Sequence, residues 1–128
     1  MRNLFKNDKI KFKYLPAILW SAFIFFLCFL PGNELPKEDW LDKIYFDKIV
    51  HVFLYFVLFL LLIRISIKPT NAILLTASLL CIAQGILIEF IQGSSLIQQR
   101  SFDIFDIAAN VFGVLIAIII FKQKHKTN

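Results

Sequence analysis

The sequence predicts an all-α integral membrane protein, a bundle of four transmembrane helices with both the N and C termini cytoplasmic. Three observations predict it. Hydrophobic residues make up 59% of the 128, including 15 Phe, whereas soluble domains average about 45–50% apolar. Four apolar segments, Leu15–Leu30, Ile49–Ile63, Ala72–Ile91 and Ile104–Phe121, are separated by short polar stretches. Lys and Arg are shared unequally between those stretches. With flanking residues the helices run over about 14–31, 47–64, 71–92 and 103–121, and residues 1–128 form a single domain. The net charge of +5 does not make nucleic acid an expected partner, because the basic residues sit beside apolar runs and form no separate face.

A helix needs about 20 residues to cross the hydrocarbon core. The first two segments reach that length only with flanking residues such as Tyr14 or Lys48 snorkelling outward. In the first, Pro16 suits a first-turn position, where its missing N–H is harmless, and Pro31-Gly32 is a stop. A basic tail before an apolar run also marks a signal peptide. No A-x-A site follows, however, and Phe25, Phe26 and Leu27 before Cys28 are not the small residues of a lipoprotein signal. A retained helix is expected.

The polar stretch NELPKEDWLDKIYFDK follows. Leu41, Ile44 and Tyr45 are three and four apart with Trp40 alongside, which fits a short amphipathic helix on the membrane surface. An irregular loop anchored by interfacial aromatics fits as well. In the second helix Asp47, His51 and Tyr55 recur every four residues and share one face. A lone His in an apolar helix is more often a hydrogen-bonded packing residue than a ligand or base, so its neighbours decide its role.

The third helix carries Ala77, Cys81 and Gly85 at four-residue spacing, and the fourth carries Ala109, Gly113 and Ala117. Such stripes let helix backbones approach closely, within the bundle or in a homo-oligomer. Cys28 and Cys81 differ in depth by about ten residues at 1.5 Å each, too far for a disulfide, and read as packing residues. Gln84 is expected to hydrogen-bond across the bundle and stands outside the site. The loop GSSLIQQRS is short enough to make the last two helices antiparallel neighbours.

Orientation follows from the basic residues. Ten Lys and Arg fall in the N-terminal tail, the second loop and the C-terminal tail, and four, Lys37, Lys43, Lys48 and Arg100, on the other side. The first set faces the cytoplasm. Most of the acidic residues therefore lie outside.

The stretch from Ile88 to Gly113 sets Glu89, Gln92, Arg100, Asp103, Asp106 and Asn110 within or beside apolar sequence, where each charge costs roughly 2.5–3.5 kcal/mol on insertion scales. Asp103 to Asn110 spans about 10.5 Å of helical rise. With His51 and Tyr55, three helices bring polar groups to one depth. Asp103, Asp106, Glu89 and His51 are the ligand types of a divalent metal site. Alternatively, Arg100 with Lys48 and His51 neutralises the acids, or Arg100 grips a phosphate or carboxylate. Both readings stay open on spacing alone.

These residues resemble a known pattern. Asp47-Lys48-x-x-His51-x-x-x-Tyr55, Glu89-x-x-Gln92 and Arg100-x-x-Asp103-x-x-Asp106-x-x-x-Asn110-x-x-Gly113 are similar, in order, to the VanZ-like family of small bacterial membrane proteins. The match covers Asp47 to Gly113. Gln98-Gln99 depart from it, standing where the family often has proline or glycine. The resemblance implies a multispanning protein of the bacterial cytoplasmic membrane, of the type named for low-level resistance to teicoplanin, a glycopeptide antibiotic with a lipid tail. It implies site residues His51, Tyr55, Glu89, Gln92, Arg100, Asp103, Asp106 and Asn110.

The expected function is binding or modifying an amphiphilic cell-envelope molecule, a lipid-linked intermediate or a lipid-tailed antibiotic, in a polar pocket at the outer leaflet. In a catalytic form His51 or Glu89 is the general base, Asp103 and Asp106 hold a divalent metal, and Arg100 stabilises a phosphate, with Tyr55, Gln92 and Asn110 lining the pocket. The alternative is a non-catalytic accessory protein with a structural ion-pair cluster and a protein partner bound elsewhere. A transporter ranks last, since VFGVLIAIIIF beyond Asn110 is dry.

Overall fold

The structure, a computed structural model, describes residues 2–31 and 45–126. Four α-helices account for nearly all of them: α1 Arg2–Cys28, α2 Phe46–Ile63, α3 Asn71–Gln92 and α4 Ile104–Lys126. No strand occurs among the described residues. The chain is thus the all-helical bundle that the apolar segments predict. The Trp40 segment, on which an amphipathic surface helix or an anchored loop was expected, lies outside the described residues apart from Tyr45.

Among the described residues, three helices, α2, α3 and α4, are long and apolar enough to cross a membrane, whereas the apolar part of α1, Phe12–Cys28, is shorter. Only 33% of each long span is buried in the bundle. The outward surface is correspondingly apolar, with Phe53, Leu79, Phe90, Phe112 and Ile119 all more than half exposed, as a lipid-facing surface requires. One expectation needs correction. Pro16 is not in a first turn but inside α1, which starts at Arg2. The tail RNLFKNDKIKFKY contains no glycine and several Lys, good helix formers. It continues the helix upstream of the proline, which removes one internal donor and crowds the carbonyl four residues before it.

The short loop after α3 makes α3 and α4 neighbours, but the closest pair is α2 and α4. Gly113 is the reason. A Cβ there would lie 2.2 Å from the carbonyl oxygen of Val52, so only glycine lets the two backbones meet. Ala109 and Ala117, one turn to either side, are buried with it. The α3 stripe of Ala77, Cys81 and Gly85 is likewise buried. In lipid, where apolar side chains gain little by leaving their surroundings, this close packing is what holds helices together. Cys28 and Cys81 are free and buried in the core with Tyr55, Phe59 and Ile88.

Helix α1 packs on α2 and α3 and does not reach α4. Polar bonds fix its height: Trp20 Nε1 donates to the Leu54 carbonyl (2.9 Å), and Ser21 Oγ donates to Gln84 Oε1 (2.8 Å). Gln84 thus bonds across the bundle as its depth suggested. Clefts of about 580 and 470 Å³ run beside α1, lined largely by apolar residues such as Leu62, Leu80 and Leu87. The polar residues gather instead where α2 and α4 begin and α3 ends.

Candidate functional site

Asp103 stands immediately before α4. Its Oδ1 accepts from the Phe105 N–H (2.8 Å), a cap on donors that a helix start leaves free. Its own N–H donates to Glu89 Oε2 (2.9 Å). One residue therefore starts α4 and ties it to the last turn of α3. Asp106, one turn on, and Asn110, one turn further, point inward and are buried, as the position of Gly113 on the same face requires.

Lys48 occupies the centre of the acids. Its Nζ donates to Asp47 Oδ2 (2.8 Å), Asp106 Oδ1 (2.5 Å) and Asp103 Oδ2. The Lys48 side chain is 21% exposed and that of Asp106 11%, so these charge-assisted bonds are shielded from water and salt more than a surface pair would be. Hydrogen bonding to Lys48 holds the Asp103 carboxyl below its ordinary value of 3.8. Sequence reasoning placed Lys48 at the boundary as a snorkelling residue or one of several neutralising cations. Its position one residue from the Asp47–His51 face was the signal that it belongs at the centre.

His51 lies one turn deeper and is buried. Its Nδ1 is 2.9 Å from Asn110 Oδ1, and its Nε2 is 3.7 Å from Asp106 Oδ2. Since an amide oxygen only accepts, Nδ1 carries the proton in that bond. Glu89 is fully buried, and its Oε1 has no partner among the described residues. Tyr55 is buried with its hydroxyl equally unpartnered. Gly85 makes room for this layer, since a Cβ there would meet Asn110 Nδ2 at 2.6 Å and the Tyr55 hydroxyl at 3.4 Å. Spacing marked Gly85 as a packing residue; that it opens space for two polar side chains is visible only in three dimensions.

Five of the eight expected site residues therefore come together: His51, Glu89, Asp103, Asp106 and Asn110. Tyr55 lies beside them across Gly85. Gln92 and Arg100 turn the other way. Gln92 Nε2 donates to the Cys28 carbonyl (2.6 Å) and Arg100 Nε to the Leu30 carbonyl (3.2 Å), so both bind the end of α1, whose last carbonyls have no helical partner. Arg100 forms no ion pair with an acid among the described residues. The neutralising cation is Lys48.

Among the described residues, two sets of ligand atoms are close enough for one cation: Asp47, Asp103 and Asp106, and His51, Glu89 and Asp106, the atoms of each set within 4.8 Å of one another. Lys48 already bridges the first set. The fold and this cluster define a helical membrane protein with a buried acid–imidazole site at one end of the bundle. No family model, curated protein or solved structure matches the chain.

Proposed function

We propose that the chain is a multi-pass protein of the bacterial cytoplasmic membrane whose polar end faces outward and takes the head group of an amphiphile. The ligand class is a lipid-linked cell-wall intermediate or a lipid-tailed glycopeptide antibiotic, bound or chemically modified at the outer leaflet. One observation carries this reading: Glu89 Oε1 and Tyr55 Oη are buried without partners beside a polar cluster. An unsatisfied buried polar atom costs about 1–3 kcal/mol, and a ligand that supplies the missing bond explains its retention. Arg100 adds to it, because only its Nε is engaged among the described residues, leaving its outer nitrogens for a phosphate or carboxylate. The resemblance to VanZ-like proteins and a contribution to glycopeptide resistance belong to the same proposal.

A second reading has its own support. Lys48 joins three carboxylates, the pattern of a structural clasp in an accessory protein with a protein partner elsewhere. The two separate in one experiment. Purified protein is incubated with a bacterial lipid extract enriched in wall precursors, and bound and altered species are read by mass spectrometry beside His51→Ala and Asp106→Asn. A species retained or converted by the wild type alone supports the ligand site. No species retained or converted by folded wild type, with both variants merely less heat-stable, supports the clasp.

A further inference from the structure

We propose that His51, Glu89 and Asp106 form a site for one divalent transition cation of the Zn²⁺ or Mn²⁺ class, using His51 Nε2, Asp106 Oδ2 and the unpartnered Oε1 of Glu89. Each of the three residues has its second polar atom already occupied. His51 Nδ1 is held by Asn110, Asp106 Oδ1 by Lys48, and Glu89 Oε2 by the Asp103 N–H. This is the outer-shell arrangement that orients metal ligands: a partner on the far nitrogen of the imidazole fixes the lone pair on the near one.

What remains is one acceptor on each of three clustered residues. Nε2 and Oδ2 are 3.7 Å apart, close to the ~3.4 Å between ligand atoms bound to one tetrahedral ion at ~2.1 Å. Glu89 brings a carboxylate oxygen into the same cluster, in which one ligand atom from each residue lies within 4.8 Å of the others, and Oε1 is its oxygen without a partner. A proton on Nε2 would join His51 to Asp106 and still leave Glu89 Oε1 unpartnered. A cation answers all three. The charges point the same way, since four carboxyl groups, Asp47, Asp103, Asp106 and Glu89, stand against the single ammonium of Lys48, and a divalent cation offsets most of the excess. One imidazole with carboxylates suits Zn²⁺ and Mn²⁺. Asp47, Asp103 and Asp106 are not the site, because Lys48 bonds to all three.

Three protein ligands leave a position open, as catalytic sites do, and an amphiphile's phosphate oxygen could take it; that last step alone rests on the function proposed above. The test uses the full chain in detergent, free of any affinity tag, stripped with EDTA and dialysed against Zn²⁺ or Mn²⁺. Metal per chain is measured by mass spectrometry, and affinity by calorimetry. The wild type and a His125→Ala control should each hold about one ion. Glu89→Gln and His51→Gln should lose it, and Asn110→Ala should bind about 10–100-fold more weakly, as loss of an outer-shell partner does. Should the variants fail to fold, pulsed EPR of Mn²⁺-loaded wild type decides, through coupling to an imidazole nitrogen. No ion on folded wild type, equal affinity in Glu89→Gln, or no nitrogen coupling overturns the site. Lipid retention by EDTA-treated wild type is measured in parallel; if it persists without metal, the ligand reading stands and only the step that places a phosphate on the metal falls.

Discussion

Glycine at two positions shows how much one missing methyl group governs. At Gly113 an added Cβ would strike the Val52 carbonyl at 2.2 Å, and a helix carbonyl moves only if the whole helix moves. Gly113→Ala should therefore lower stability at or above the upper end of the ~1–3 kcal/mol usual for overpacking, read by thermal unfolding in detergent. At Gly85 the clash is with Asn110 Nδ2, the end of a side chain that can swing aside. Gly85→Ala should cost less stability but loosen the Asn110–His51 bond; a greater loss than for Gly113→Ala would contradict this ranking. Asp103 makes a pH prediction. Its folded value lies below 3.8 because of Lys48, so its contribution is fully present above the unfolded value and is lost as pH falls through the folded one. The stability gap between wild type and Asp103→Asn should be constant near neutrality and shrink below about pH 4. A gap unchanged to pH 3 would mean that the ion pair contributes nothing.

At the scale of elements, the α3–α4 connection does three things in few residues: it reverses the chain, caps α4 and carries Arg100 to the end of α1. Its turn places Gln99 at φ 56°, left-handed backbone that costs an ordinary L-residue roughly 1–2 kcal/mol. Gln99→Gly should remove the strain at an entropic cost of about 0.5–1 kcal/mol, leaving the protein slightly more stable on melting. A clear loss of stability would mean that the Gln99 side chain, not the backbone, matters there. Helix α1 is held differently from the rest. Its anchors are polar, through Trp20, Ser21, Gln92 and Arg100, whereas α2 and α4 add to the His51–Asn110 and Lys48–Asp106 bonds a close backbone contact at Gly113.

For the molecule as a whole, α3 alone separates the loops at 65–70 and 93–103, so a single crossing by α3 puts them on opposite faces of the membrane. Lys68 and Ser95 are exposed, and Cys28 and Cys81 are buried, which permits cysteine labelling without removing the native thiols. With an impermeant maleimide on intact cells, Ser95→Cys should react and Lys68→Cys only after permeabilisation. The reverse pattern would place the polar end in the cytoplasm and remove the proposed access to the outer leaflet. Reaction of both from one side would mean that α3 does not cross.

The helices, their approximate ends apart from the start of α1, which lies at Arg2 and not near Tyr14, and the inward faces of α3 and α4 were legible along the chain. Apolar length and a 3.6-residue repeat are local properties, which explains why the buried stripes Ala77-Cys81-Gly85 and Ala109-Gly113-Ala117 could be read residue by residue. The depth at which His51, Glu89, Asp103, Asp106 and Asn110 meet was legible for the same reason, since rise along a helix is fixed. Partner choice was not. Whether Lys48 or Arg100 faces the acids depends on how each helix is turned about its axis and on where α1 ends. Those are set by bonds between residues more than fifty apart, such as Lys48 with Asp103 and Arg100 with the Leu30 carbonyl. The unpartnered oxygen of Glu89 follows from that choice, because Asp103 takes one carboxylate oxygen, Lys48 goes to other acids, and no local pattern records what is left over.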